Sequence, residues 1–139
     1  MKRLAVLAII VILGLVGAGI ASAGGRPLTA TLSGANEIPP ADPDGFGFAE
    51  VTLNQGQGEV CWNITVNNID LPIVADHIHR GTATQNGPVV VDFGASLNGC
   101  TTGVDEELIK DIRQNPQNYY VNVHNAPFPG GAVRGQLSK

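Results

Sequence analysis

Ala49-Glu50-Val51-Thr52-Leu53-Asn54-Gln55-Gly56-Gln57-Gly58-Glu59-Val60-Cys61-Trp62-Asn63-Ile64-Thr65-Val66 is the stretch that decides the fold class. In an extended chain successive side chains point to opposite faces, so Ala49, Val51 and Leu53 share one face while Glu50 and Thr52 take the other. The alternation resumes after the turn, with Val60, Trp62, Ile64 and Val66 set against Glu59, Cys61, Asn63 and Thr65. Two alternating runs joined by a short glycine-bearing loop, Asn54–Gly58, form an antiparallel hairpin with one face buried.

The same pattern recurs on either side. Leu28, Ala30 and Leu32 alternate with Thr29 and Thr31, and further short runs cover Ile73–Arg80, Pro88–Phe93, Tyr119–His124 and Ala132–Leu137. About seven short strands in a chain of this size predict an antiparallel β-sandwich or barrel. One helix interrupts them. Val104, Leu108 and Ile112 recur at four-residue spacing with Ile109 beside them, acidic residues crowd the start, Lys110 and Arg113 lie near the end, and Pro116 stops it. Its predicted role is to cover one end of the sandwich. Of the aromatic residues, Phe46, Phe48, Trp62, Phe93, Phe128 and Tyr119 are assigned mostly to the core, and Tyr120 to the neighbourhood of the histidines.

The N-terminus reads differently. Met1-Lys2-Arg3, an apolar run from Leu4 to Ile20 and the exit Ala21-Ser22-Ala23 form the pattern of a secretory signal peptide over residues 1–23. The apolar run falls short of the roughly 20 residues a membrane span needs. Gly24–Lys139 is then one exported domain, secreted or periplasmic, with no membrane attachment after cleavage. The net charge of −4 becomes more negative once Lys2 and Arg3 are lost, which argues against nucleic acid and anionic membranes as partners. The two cysteines, Cys61 and Cys100, are expected to form a disulfide in an oxidising compartment.

All three histidines fall in two of the predicted strands. His77 and His79 share a face, with Ile78 turned the other way. In Tyr119–Asn125 the apolar set Tyr119, Val121 and Val123 leaves Tyr120, Asn122 and His124 on the opposite face. If the strands share a sheet, the three imidazoles meet on one side of it. Imidazole suits copper and zinc, and three protein ligands leave a coordination position open. One copper ion, with zinc as the alternative, is therefore the expected cofactor, held by His77, His79 and His124. Asn122 and Tyr120 are expected nearby, whereas alternation turns Asp76 away. The opposing expectation is that His77 and His79 simply sit on a wetted strand face. No Gly-x-Ser-x-Gly elbow or phosphate-cradling glycine loop occurs, and no catalytic residue is assigned. Glu37, Asp42 and Asp44 lack regular spacing and read as loop solvation, and Arg80 and Arg134 as partners of carboxylates.

Four blocks carry a family resemblance. Leu32-Ser33-Gly34-Ala35-Asn36-Glu37-Ile38-Pro39-Pro40 resembles the opening of the CHRD domain, the module first named from chordin. Ala75–Gly81 with Asn86–Val91 resembles its centre, and Tyr119–His124 and Phe128–Leu137 its end. The resemblance runs from about Leu28 to Leu137 and implies an all-β, antiparallel Greek-key β-sandwich of superoxide-dismutase-like or immunoglobulin-like type. It implies a secreted module without a defined activity. His77-Ile78-His79 is also similar to the His-x-His copper ligands of copper/zinc superoxide dismutase, with His124 similar to a later strand histidine there. That enzyme uses further histidines for its second metal and this chain has none left, so a mononuclear copper site is the form expected. The alternative is a non-enzymatic interaction module without metal, contacting a protein partner through Glu37–Gly45 and Pro127–Gly131.

Overall fold

The computed structural model describes residues 27–139, so the expected signal peptide lies outside the described residues. Eight strands form one continuous antiparallel sheet. They are β1 (Leu28–Ser33), β2 (Phe46–Asn54), β3 (Glu59–Asn67), β4 (Ile73–Arg80), β5 (Val89–Gly94), β6 (Asn98–Thr101), β7 (Tyr119–Asn125) and β8 (Val133–Gln136), with one helix, α1 (Glu106–Gln114), between β6 and β7. The spatial order is β5-β4-β7-β8-β1-β2-β3-β6.

The sheet folds back on itself to make the expected sandwich. Trp62 on β3 stacks on Phe93 of the edge strand β5, with ring centroids 4.2 Å apart, and the indole N–H donates to the Ser96 carbonyl in the link to the other edge strand. The seam between β5 and β6 is thus held by this aromatic pair and by hydrogen bonds of the link, in which the Ser96 carbonyl accepts from Trp62, the Leu97 carbonyl from the Ile64 amide, and the Ser96 amide donates to Asp76. After β4, β5 and β6, the chain crosses over through α1 and β7 returns beside β4, the connectivity of a Greek key.

The opening hairpin forms as its alternation requires. β2 and β3 pair from Phe46↔Asn67 to Asn54↔Glu59 with Ala49, Val51, Val60 and Ile64 facing the core. Gly58 closes the turn in the left-handed conformation, which an L-residue adopts only at a cost. Removal of this apolar set from water is the main source of stability for a domain of this size. Helix α1 begins where Asp105 accepts hydrogen bonds from the Glu107 and Leu108 amides, and it buries Ile109 and Ile112 fully while Val104 and Leu108 are partly covered.

β6 was not foreseen. Asn98-Gly99-Cys100-Thr101 has no apolar alternation, because the residue opposite Trp62 is Gly99, where an added Cβ would lie 3.0 Å from the indole ring. The inward position is filled by the neighbour's aromatic ring instead of by its own side chain. Cys61 and Cys100 stand directly opposite one another on β3 and β6 and form the expected disulfide, with a Cα–Cα distance of 4.0 Å. It ties an edge strand to the sheet across a sequence separation of 39 residues.

Two aromatic assignments are corrected. Phe46 and Phe48 are 50% and 43% exposed. Inward places on β2 belong to Gly47, Ala49, Val51 and Leu53, so period two turns both phenylalanines outward regardless of their hydrophobicity. Phe128 is half-buried in a loop, whereas Trp62, Phe93 and Tyr119 are buried in the core.

Candidate metal centre

β4 and β7 are neighbours, with Ala75↔His124, His77↔Asn122 and His79↔Tyr120 in register. The three histidines therefore reach one face of the sheet, and one ring nitrogen from each lies within 4.8 Å of the others. That face is not wetted as a bare strand surface would be. His79 and His124 are only 9% and 8% exposed, and all seven residues of β7 are buried on both faces. Gly87 and Pro129 bring the loops at 81–88 and 126–131 against His79 and His124, and Glu37 stands beside Gly131 and Arg134.

Backbone carbonyls fix two of the rings. His79 Nδ1 lies 2.9 Å from the Gly87 carbonyl oxygen and His124 Nδ1 3.1 Å from that of Pro129. A carbonyl only accepts, so both Nδ1 atoms carry the proton and both Nε2 atoms present lone pairs. This outer hydrogen bond to a carbonyl is the arrangement that orients metal-ligating histidines. His79 Nε2 is buried with no hydrogen-bond partner. His124 Nε2 lies 3.2 Å from His77 Nδ1, close to the ~3.3 Å that separates two nitrogens of a tetrahedral ion with bonds of about 2.0–2.1 Å.

Burial pushes all three imidazoles below their ordinary pKa of 6.5. For His77 the neighbouring His124 and His79 push the same way, with Asp92 opposing. For His79 and His124 the carbonyls of Gly87 and Pro129 oppose the burial. The rings are neutral near pH 7, as ligands must be.

Tyr120 and Asn122 are where alternation puts them. The Tyr120 ring stacks on His79 with centroids 4.8 Å apart, and its hydroxyl accepts from the Gly87 amide at 3.2 Å. Gly87 thus grips both members of the stack. Asn122 lies between His77 on β4 and Arg134 on β8, and its Oδ1 is buried without a hydrogen-bond partner. Asp76 faces inward, fully buried, with Oδ1 accepting from the Ser96 amide. Burial raises its carboxyl to about 7.

Behind Tyr120 lies a polar brace. The Arg134 guanidinium covers the Tyr120 ring at 4.8 Å, donates to the Gln85 carbonyl and to Asn86 Oδ1, and sits 2.9 Å from Glu37 Oε2. The Nε–Oε2 approach is close but off the hydrogen-bond direction, so charge attraction carries it. Burial raises the Glu37 carboxyl to about 7 against the opposing pull of Arg134. Glu37 and Asp42 are therefore not solvating a loop. Glu37 is 5% exposed in an ion pair, and Asp42, 6% exposed, accepts from the Gly45 amide. Both arginines meet carboxylates as expected, Arg80 reaching Asp111 at 3.8 Å.

The sequence reading missed the residues that orient the rings. Gly87 and Pro129 act through backbone carbonyls, which leave no side-chain signature. Asp92, directly opposite His77 on β5, brings Oδ1 to 3.8 Å from His77 Nε2. Its one signal was its place on the polar side of Val91-Asp92-Phe93.

A family model for the CHRD domain matches residues 28–137. The chain belongs to the CHRD family. Comparison with curated proteins and with solved structures finds no match. The CHRD blocks converge in space: Glu37 from the first, the histidine pair with Asn86 and Gly87 from the second, Tyr120 and His124 from the third and Arg134 from the last all meet around the brace and the cluster. Family and disulfide together fit a domain of extracellular type, and among the described residues no helix is long and apolar enough to cross a membrane.

These shifts make the stability depend on pH. Glu37 and Asp76 titrate at about 7 when folded, above their ordinary 4.5 and 3.8, so the stability they confer is present at low pH and lost as pH rises toward 7. The histidines are lowered from 6.5, so theirs is lost as pH falls below 6.5. Between about 4.5 and 6.5 the two sets oppose one another, and from 6.5 to 7 the loss carried by the carboxyls dominates. The metal-free protein is expected to lose stability as pH rises from 6.5 to 7, read as a falling melting temperature. A melting temperature that keeps rising from pH 6.5 to 7.5 would contradict the buried carboxyl assignments.

Proposed function

We propose that this CHRD domain binds one transition-metal ion outside the cytoplasm, copper by preference and zinc as the alternative, through His77, His79 and His124. The observation that carries the reading is the buried, unpartnered Nε2 of His79 beside the convergent nitrogens of the other two rings. An orphaned buried acceptor costs about 1–3 kcal/mol, and a bound cation removes that cost. Neutral imidazoles suit Cu, Zn, Ni and Fe, and copper heads the affinity order among divalent ions. The residues fit such an ion, which would supply Lewis acidity or a one-electron couple when bound. The chain's own part is to hold two rings by their Nδ1 protons against the loops that carry Gly87 and Pro129. The N-terminal signal pattern and the disulfide support export.

Calorimetric titration of the mature protein with Cu(II) and Zn(II), beside a His77→Ala/His79→Ala/His124→Ala variant, tests this. One equivalent is expected to bind with a sub-micromolar Kd, and binding is expected to vanish in the variant. Binding indifferent to the substitutions would refute the site. One observation favours the non-enzymatic interaction reading: Phe46 and Phe48 stand exposed on adjacent outward positions of β2. Phe46→Ser/Phe48→Ser would then abolish partner capture and leave metal binding intact.

A further inference from the structure

We propose that Asp92 is a positioning residue of this metal site, accepting the proton that His77 must carry on Nε2 once its Nδ1 becomes a ligand. The inference rests on the metal-binding reading above and adds to it a residue and a tautomer. It starts from the hydrogen-bond chain His77–His124–Pro129. The Pro129 carbonyl accepts from His124 Nδ1 at 3.1 Å, so His124 Nε2 is an acceptor, and the partner 3.2 Å away, His77 Nδ1, is the donor. Without metal, His77 is therefore the Nδ1–H tautomer with a bare lone pair on Nε2.

That lone pair faces Asp92. The carboxylate oxygen stands 3.8 Å off, too far for a hydrogen bond, as two acceptors with no proton between them must stand. Asp92 is held in place all the same. The Gly94 amide donates to the same Oδ1 at 2.8 Å, Gly94 has a positive φ of 82°, and the β4–β5 register shifts between Asp76 and His77. A bulge beside a site commonly re-aims one side chain, and here it sets Asp92 opposite His77. His79 and His124 have carbonyls as outer partners. Asp92 is the corresponding group for His77 among the described residues.

Metal entry reverses the tautomer. For Nδ1 to serve as a ligand its proton would leave to solvent and a proton from solvent would bind Nε2, so the ring's charge would be unchanged. His77 is part-exposed, with 17% of its side chain accessible, which gives the exchange a route. Nε2–H then faces a carboxylate, and the gap closes into a charge-assisted hydrogen bond.

The test uses Zn(II), which leaves nitrogen and proton NMR of the imidazoles readable. In the wild-type protein His77 is expected to carry its proton on Nδ1 without metal and on Nε2 with one equivalent of Zn(II). Asp92→Asn keeps one acceptor oxygen for the Gly94 amide while it removes the charge and turns the other oxygen into an amide donor, and it is expected to weaken Zn(II) binding about tenfold, at the low end for an outer partner. Asp92→Glu should recover part of that loss. The metal-free melting temperature should not move, because the Asp92 side chain is 73% exposed. Unchanged affinity in Asp92→Asn, or a loaded His77 that keeps Nδ1–H, would overturn the role of Asp92 and leave the three-histidine site standing. Absence of Zn(II) and Cu(II) binding in the wild type would overturn both.

Discussion

Arg134→Ala is expected to destabilise the domain by about 3–5 kcal/mol, the cost of leaving one member of a buried ion pair uncompensated. The total stability of a small domain is about 5–15 kcal/mol, so melting should fall by roughly 10–25 °C. Three losses add up. Glu37 is left at 5% exposure without its counter-charge, the Gln85 carbonyl and Asn86 amide oxygen lose their donors, and the Tyr120 ring loses the cation on its outer face. The sign of the pH dependence identifies the first loss. Glu37 already titrates at about 7, raised by burial, and removal of Arg134 raises it further. At pH 5 the carboxyl is protonated and the penalty is small; at pH 8 it must ionise in place or stay protonated against the solution. The deficit relative to wild type should therefore be clearly larger at pH 8 than at pH 5. A deficit independent of pH would mean that lost packing, rather than the stranded carboxylate, carries the effect.

Gly87→Ala is the second large effect, and it falls on the site. An added Cβ would sit 1.6 Å from the Arg80 carbonyl oxygen and 2.6 Å from its carbon, and backbone cannot yield as a flexible side-chain tip can. Residue 87 must move away from the end of β4. Its carbonyl holds His79 Nδ1 and its amide donates to the Tyr120 hydroxyl, so both grips go with it. Loss of an outer partner of this kind typically costs 10–100-fold in metal affinity, and that range is the expected change for Cu(II) or Zn(II). The hydrophobic core lies on the opposite face of the sheet, so a cooperative thermal transition should persist at lower temperature. Gly56→Ala is the control, since nothing lies within 4 Å of a Cβ added there. It should bind as the wild type does. Equal binding by Gly87→Ala would mean that the Gly87 carbonyl does not orient His79.

The sequence exposed the parts of this protein that depend on side-chain period. The β2–β3 hairpin follows from alternation, and so does the shared face of His77, His79 and His124 once β4 and β7 are neighbours, a pairing that the sequence leaves open and the structure supplies. Where period and hydrophobicity disagreed, at Phe46 and Phe48, period decided. β6 was hidden because Gly99 yields its inward place to the Trp62 ring, a substitution visible only once the two strands are paired. The cover over the histidines was hidden for a different reason. It is built from proline- and glycine-rich loops whose carbonyls do the orienting, and an amino-acid string does not say where a carbonyl points. Glu37 was misread from its polar, proline-rich surroundings. Its partner is 97 positions away on β8, a long-range pairing that only the Greek-key crossing brings together.

Metal-edge X-ray absorption of the mature protein carrying one equivalent of Cu(II) tests the central claim most directly, because it counts the imidazoles bound to the ion. The account predicts scattering from three imidazole rings, falling to two in His79→Ala. A loaded protein whose metal shows only oxygen and amide-nitrogen neighbours, or whose spectrum does not change in His79→Ala, would contradict it.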